Sequence, residues 1–584
     1  MESKFTKENV IYALYLLRIG TNPPADKYLH SFQKSKEAWR ISEELLSHQP
    51  SYPLHILTFA AMSLAKKTKN DFNRLSMPKR WHLRDSFIQH LLNAAMIPGS
   101  NSLIVQLGIC LSALGLGSPN LEDEICGFVR QLSEKPEHIM ALLEVLRILP
   151  EEARSFDPEQ HVESLESVRL ALRSQSSNIF NAVEGFLERR DLPDGVLLKC
   201  LAVLASWTRY GFILTDQVLE RKLFQRAYVI LVTPLIEGHL EAADCVVGML
   251  EYSLVANYLD SRLFQMVISL EAAFQSSVDK QDLMQNYCHI FVNLFETHYQ
   301  LTKWDPSKIQ ERFLTIELLL LIAAKCPLSV VESSMNVWSL LSADFKNHCD
   351  DQLISTYRPY FLRFLNQLFI IAAVPASYAC IELPNSLDRF RGLVAEVLVD
   401  LANSVEEITL NELYDIVRNR ESPWTDVEMG IFFLRHLMQR VHQLPFILNI
   451  LDSVRNRKEP LIRLQVLELI STPGIVDPGT IWNCLLNELR QEVPILAAIE
   501  CRLSLLMPYW KCLLHLASSV DEFHLKECQR SELLARIYTL VRQLGPSYVQ
   551  EANKYLVNEC SNCQGPRKNR IYMIKYHLNL SKNI

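Results

Sequence analysis

Residues 25–46 read ADKYLHSFQKSKEAWRISEELL. Ala25, Leu29 and Phe32 fall at i, i+4 and i+7, and after a polar break at Ser35-Lys36 a second apolar stripe runs through Ala38, Ile41 and Leu45. Steps of three and four place each set on one side of an α-helix, so the stretch predicts two short helices in succession. Neither can bury its stripe alone. Each pair needs a neighbouring pair to stack on, and that neighbour needs another. The fold class expected from this stretch is all-α, a HEAT/armadillo-like helical-repeat solenoid.

The composition agrees. A chain of 584 residues is too long for one compact core, but a repeat array extends its core indefinitely. Glycine is only 17 of 584, well below the roughly 7% average, while 49% of residues are hydrophobic. That balance suits helix packed on helix, since sheets need more glycine in their turns. Breaks recur at Pro23-Pro24, Pro98-Gly99, Pro193-Asp194-Gly195, Pro306, Pro384, Pro423, Pro473-Gly474 and Gly545-Pro546. At roughly 40 to 47 residues per helical pair the chain holds about a dozen repeats. The expected organisation is an N-terminal group of repeats over 1–160, central repeats over 161–548 and a divergent basic tail over 549–584.

Charge is uneven. The formal net charge is −7, yet residues 1–100 carry 14 Lys+Arg against 8 Asp+Glu, and residues 560–584 carry 5 against none, which leaves −18 for the body. An acidic body favours a basic protein partner and disfavours bare nucleic acid. The 14 cysteines are scattered through apolar helical stretches, Cys110, Cys200, Cys288 and Cys326 among them, as buried reduced thiols are. No apolar run reaches the roughly 18 residues of a membrane span, and no membrane insertion is expected. Val10 to Leu17 is the first helix and not a leader.

Individual segments give further expectations. Leu54 to Leu75 is a long helix with Leu57, Ala60, Ala61 and Leu64 inward and Lys66, Lys67 and Lys69 on the far turn. Ser86–Ala95 and Asn101–Leu114 form another pair. Met140–Leu149 is a helix expected to stop at Pro150. Trp207 and Trp338 are core anchors, while His289 and His298 pack or face solvent without binding metal. The acidic pairs Glu43-Glu44, Asp123-Glu124 and Glu151-Glu152 read as solvated charge. Cys560 and Cys563 have the spacing of half a zinc site, but only His577 follows, so no metal is expected. Arg567, Lys568 and Arg570 read as part of a frayed tail. Phosphate-cradling loops and the HExxH, GxSxG and kinase signatures are missing from the sequence. Neither catalysis nor a cofactor is expected.

Beyond these patterns the chain resembles the importin-β (karyopherin-β) family of nuclear transport receptors. Lys27–Leu46 is similar to that family's N-terminal signature, with Ala38-Trp39, Ile41 and Leu45-Leu46 at its marked positions. FAAMSLAKK at Phe59–Lys67, LRDSFIQHL at Leu83–Leu91, LRILPEEARS at Leu146–Ser155, NYCHIFVNLFET at Asn286–Thr297 and WTDVEMGIFFL at Trp424–Leu434 look like the transportin-3/importin-13 branch, more its transportin-3 side. The similarity runs to about Leu544. The resemblance implies a receptor that binds Ran-GTP through inner helices of its first repeats and meets nuclear pore proteins. It would carry arginine-serine-rich splicing factors as cargo and shuttle between nucleus and cytoplasm. Met62, Lys66, Lys67, Asn70 and Gln106 are the residues expected at the Ran contact, Met62 standing where the family has glutamine. Receptors of this branch continue further and carry an arginine-rich cargo-reading helix in that portion, so the chain is expected to be truncated or divergent at its C-terminus. A longer acidic insertion of the family is reduced here to Ile381–Asn385 and Asp388. A HEAT scaffold without Ran dependence, or an isoform lacking cargo binding, is the alternative.

Overall fold

The computed structural model describes residues 5–579 apart from short internal segments, the longest being 156–164, 402–406, 438–443, 471–477, 491–495, 544–549 and 559–565. Among the described residues helix follows helix and no strand occurs, which is the expected helical-repeat solenoid class. The chain divides into two compact units, Met1–Leu321 and Ile322–Ile584, so the boundary expected near 160 falls inside the first.

In the first unit the helices are α1 (Lys7–Ile19), α2 (Pro23–Lys34), α3 (Glu37–Ser47), α4 (Leu54–Asp71), α5 (Met77–Ala95), α6 (Asn101–Leu116), α7 (Leu121–Leu132) and α8 (Pro136–Arg154). They continue as α9 (Leu165–Phe186), α10 (Val196–Arg209), α11 (Thr215–Leu219), α12 (Lys222–Val232), α13 (His239–Ala256), α14 (Ser261–Ile268), α15 (Glu271–Gln275) and α16 (Gln281–Thr302). The first hairpin forms as its sequence dictates. Asn22 caps α2 by accepting from the Ala25 N–H at 3.1 Å, with Pro23 at the first helical position, where its missing donor costs nothing. Ala25, Leu29 and Phe32 of α2 and Ala38, Ile41 and Leu45 of α3 are buried. Phe32 sits between Phe5 and Phe59, ring centroids 5.8 and 6.2 Å away, and so joins α2 to α4. Full burial of such a side chain is worth about 2–3 kcal/mol.

The stacking then propagates. α4, α6, α8, α10, α13 and α16 each pack on the next, backed by α3, α5, α7, α12 and α14. Thiols mark several of these seams: Cys110 donates to Ala61 O at 3.6 Å, Cys200 to Val183 O at 3.9 Å and Cys245 to Leu201 O at 3.2 Å. Burial pushes all three thiols up from their ordinary pKa.

Four expectations need correction. The helix over 140–149 does not stop at Pro150 but runs through it to Arg154. Proline has no N–H for the carbonyl four residues earlier. Here that carbonyl, Leu146 O, accepts instead from Trp207 Nε1 at 2.8 Å, and the next, Arg147 O, accepts from Ser206 Oγ at 2.7 Å. Helix α10 thus supplies the donor that the proline lacks, and the fully buried Trp207 both fills space and satisfies backbone. Second, the acidic pairs are not merely solvated. Glu44 bridges to Lys7 at 2.7 Å, Glu124 to Arg84 at 3.4 Å and Glu152 to Lys69 at 2.5 Å, each tying separate helices together. Third, Leu75, the expected last residue of α4, lies in a bend and not in a helix. Fourth, Pro566–Asn579 is a helix and not a frayed end: Ile571 and Ile574 are wholly buried, Arg570 pairs with Asp521 at 2.7 Å, and His577 stacks on Tyr538. Its charged residues had masked a two-residue apolar stripe at i, i+3. Cys560 and Cys563 lie outside the described residues.

In the second unit Trp338 stacks flat on Phe364, centroids 3.9 Å apart. The helices Asn385–Leu401, Trp424–Leu437 and Pro460–Ile470 pack in series around a buried polar clip. Arg391 donates through both terminal nitrogens to the Glu428 carboxylate at 2.7 and 2.9 Å and through Nε to Ala372 O at 2.9 Å. Gln465 Nε2 adds a bond to Glu428 at 3.1 Å. Two parallel bonds match the guanidinium to the carboxylate, which makes burial of both charges tolerable.

Candidate partner-binding face

Helix α4 sorts its side chains by angle. Ile56, Leu57, Ala60, Ala61 and Leu64 enter the core, while Met62, Lys66 and Asn70, spaced by four, share one stripe. Met62 is 41% exposed, Asn70 is exposed and Lys66 half-buried. Lys66 is not loose. Its Nζ donates to Gln33 Oε1 at 3.3 Å, and Gln33 Nε2 in turn donates to Ser63 Oγ at 3.5 Å, so α2 steadies the cation. Lys69 is anchored to Glu152 of α8.

Lys67 departs from expectation. One residue along a helix turns about 100°, and that rotation carries it from the Lys66 stripe into the protein. It is 6% exposed and paired with Asp71, so it steadies α4 from within and leaves the exposed stripe. Gln106, half-buried, stands on α6 one turn before Cys110, whose thiol meets the Ala61 carbonyl. The structure therefore places Met62, Lys66 and Asn70 on one stripe, puts Gln106 on the adjoining helix and turns Lys67 away.

Sequence reading also missed a buried ion-pair cluster further along the stack, between α8 and α10. Glu144 of α8 is buried between Arg147 at 2.7 Å and Lys199 at 2.6 Å. Burial alone would raise its carboxyl, but the hydrogen bonds from Arg147 and Lys199 outweigh burial and hold it below its usual range. No local signal marks a pair separated by fifty-odd positions. Chemically the face offers a cation, an amide and a thioether. Groups of this kind can meet carboxylates and hydrogen-bonding atoms on a protein surface. Among the described residues no group of His, Cys, Asp or Glu is placed to hold a metal ion, and no helix is long and apolar enough to cross a membrane.

The chain is similar to several known proteins. Residues 279–370 match the family described as the Transportin-3/Importin-13 second TPR domain, and residues 100–246 match the Exportin 1-like protein family. Importin-13 of Bos taurus is 26% identical over 473 residues, covering 75% of this chain and 48% of that protein. The mRNA transport regulator MTR10 of Saccharomyces cerevisiae is 22% identical over 452 residues, 71% of this chain and 44% of that one. The chain thus spans about half the length of the curated relatives it matches. Among solved structures, importin-13 in its cytosolic state shares the fold, with a TM-score of 0.59 and 15% identity, over 90% of this chain and 66% of that one. These likenesses make the chain similar in sequence to importin-13 over three quarters of its length and similar to it in fold.

Proposed function

We propose that the chain is a nuclear transport receptor that binds Ran in its GTP state through the α4 stripe and α6. The observation that carries this reading is the match to importin-13 along three quarters of the chain, in a fold of the same class. Met62, Lys66 and Asn70, with Gln106 beside them, form the Ran contact, and Lys67 acts as an internal strut. Cargo is protein, arginine-serine-rich splicing factors in the first instance, and the receptor meets nuclear pore proteins and shuttles between nucleus and cytoplasm. Catalysis plays no part.

The test is capture of Ran by the purified chain. Ran loaded with a non-hydrolysable GTP analogue is retained, Ran-GDP is not, and Lys66→Glu lowers retention at least about tenfold, the loss of one well-placed charge contact. Equal retention of both nucleotide forms refutes the reading and favours a scaffold without Ran dependence. An arginine-serine-rich domain bound alone and released by Ran-GTP supports import, since exclusive occupation couples the two ligands reciprocally. Cargo strengthened by Ran-GTP would overturn import in favour of export. Ran capture without any cargo binding would identify an isoform that lacks the cargo function.

A further inference from the structure

Helix α4 carries lysine at 66, 67 and 69, and the structure treats the three differently. Lys67 is paired with Asp71 and Lys69 with Glu152, so each of those charges is cancelled within the chain. Lys66 has a neutral partner instead. Its Nζ donates to Gln33 Oε1 at 3.3 Å, and among the described residues no carboxylate pairs with it. The amide fits in one orientation only. Lysine donates and never accepts, so the atom that faces Nζ must be the oxygen. At the other end Ser63 Oγ donates to Phe59 O at 2.8 Å, which leaves it to accept from Gln33 Nε2 at 3.5 Å. Gln33 is buried on α2 and Ser63 on α4, so the relay runs inside the protein and ends on the ammonium.

We propose that Gln33 is a positioning residue for the α4 stripe: it fixes the direction of Lys66 and leaves its charge intact for a carboxylate of the docked protein. A carboxylate at position 33 would hold the ammonium as well as the amide does, but it would cancel the charge that a partner meets. An aliphatic side chain there would leave the charge and release the lysine, which then loses more freedom on docking. The amide alone does both. The inference rests on the reading of this stripe as the Ran contact, and adds to it that the group on Ran opposite Lys66 is acidic.

The test compares the whole chain with its Gln33→Glu, Gln33→Met and Lys66→Gln variants. Ran loaded with a non-hydrolysable GTP analogue is the probe, and its affinity is measured from about 50 mM to about 500 mM salt, where screening is short-ranged. Gln33→Glu keeps the hydrogen bond and neutralises Lys66. It is expected to weaken binding about tenfold at low salt and to flatten the salt dependence as Lys66→Gln does. Gln33→Met keeps the charge and removes the acceptor, so a loss of about threefold with the salt dependence retained is expected. Equal losses for Gln33→Glu and Gln33→Met with one common salt dependence mark a merely structural glutamine and overturn the proposal. So does undiminished binding by Gln33→Glu. Unchanged thermal melting of Gln33→Glu separates a cancelled charge from a damaged fold. A second readout needs no Ran. Acetylation by N-hydroxysuccinimide acetate requires the neutral amine, and a carboxylate beside a lysine favours its charged form, so mass spectrometry should find Lys66 labelled at least about threefold more slowly in Gln33→Glu than in the wild type. If the wild type binds no form of Ran, the Ran contact is refuted, and the labelling decides the rest: slowed labelling supports Gln33 as the holder of Lys66 for another acidic protein, while equal rates overturn it.

Discussion

Replacing Trp207 by Phe removes one N–H and part of one ring at the seam between α8 and α10, and the outcome is set by Pro150. In an ordinary helix the Leu146 carbonyl would accept from residue 150, and loss of a tertiary donor would leave that bond intact. Pro150 has no such donor, so Trp207→Phe leaves a buried carbonyl with nothing in its place. An orphaned buried acceptor costs about 1–3 kcal/mol, and the space vacated by the indole adds about 1 kcal/mol. The sum, about 2–4 kcal/mol, is large for a substitution that keeps an aromatic ring. Pro150→Ala supplies the missing N–H, so in that background Trp207→Phe should cost less by the acceptor's share, about 1.4 kcal/mol or tenfold in an opening equilibrium. Hydrogen exchange of the α8 and α10 amides in the four proteins reads that coupling locally, without requiring two-state unfolding of so long a chain. If the cost of Trp207→Phe is the same with and without the proline, to within about 0.5 kcal/mol, then the indole does not stand in for the missing donor and the account of the seam is wrong.

Three further outcomes are expected. Glu428→Ala strands the buried Arg391 guanidinium and should destabilise the second unit by about 3–5 kcal/mol, seen as proteolysis of that unit under conditions that spare the first. Burial holds the imidazoles of His239 and His436 near pKa 4, below their ordinary value of about 6.5, so the unfolded chain takes up protons first as the solution is acidified. Stability is then fully present above about pH 6.5 and falls toward pH 4, by up to about 3 kcal/mol for each group, and His239→Gln should flatten the slope of melting temperature against pH in that window. Gly211 has φ +73°, and a Cβ there would collide with the Tyr252 ring, so Gly211→Ala should displace that ring, break the Arg173 bond to Gly211 O and cost about 1–3 kcal/mol in thermal melting.

How much of this could be read in advance depended on distance along the chain. The α2–α3 hairpin was legible because every residue that decides it lies within 22 positions and obeys one period. Trp207 and Trp338 were legible as core by size alone, although nothing in the sequence said that one of them serves a carbonyl 61 residues away. Pro150 misled for the same reason: a local rule says stop, and a distant donor overrules it. Lys67 failed by one step of helical rotation, which a stripe drawn by eye does not resolve. The paired carboxylates misled because their cations, Lys7, Arg84 and Lys69, sit on other repeats. The C-terminal helix was hidden by charge, its two buried isoleucines being too short a pattern to stand out against four cations. Of the α4 face, the stripe itself was visible, and the network that steadies it through Gln33 was not.

The thiols along the seams have a practical corollary. Because Cys110, Cys200 and Cys245 are each enclosed and held in the protonated form, alkylating reagents cannot modify them while their layer stays shut. Each then serves as a clock for its own layer. The order in which they become labelled would tell whether the stack loosens from one end like a pulled zip or gives way everywhere at once.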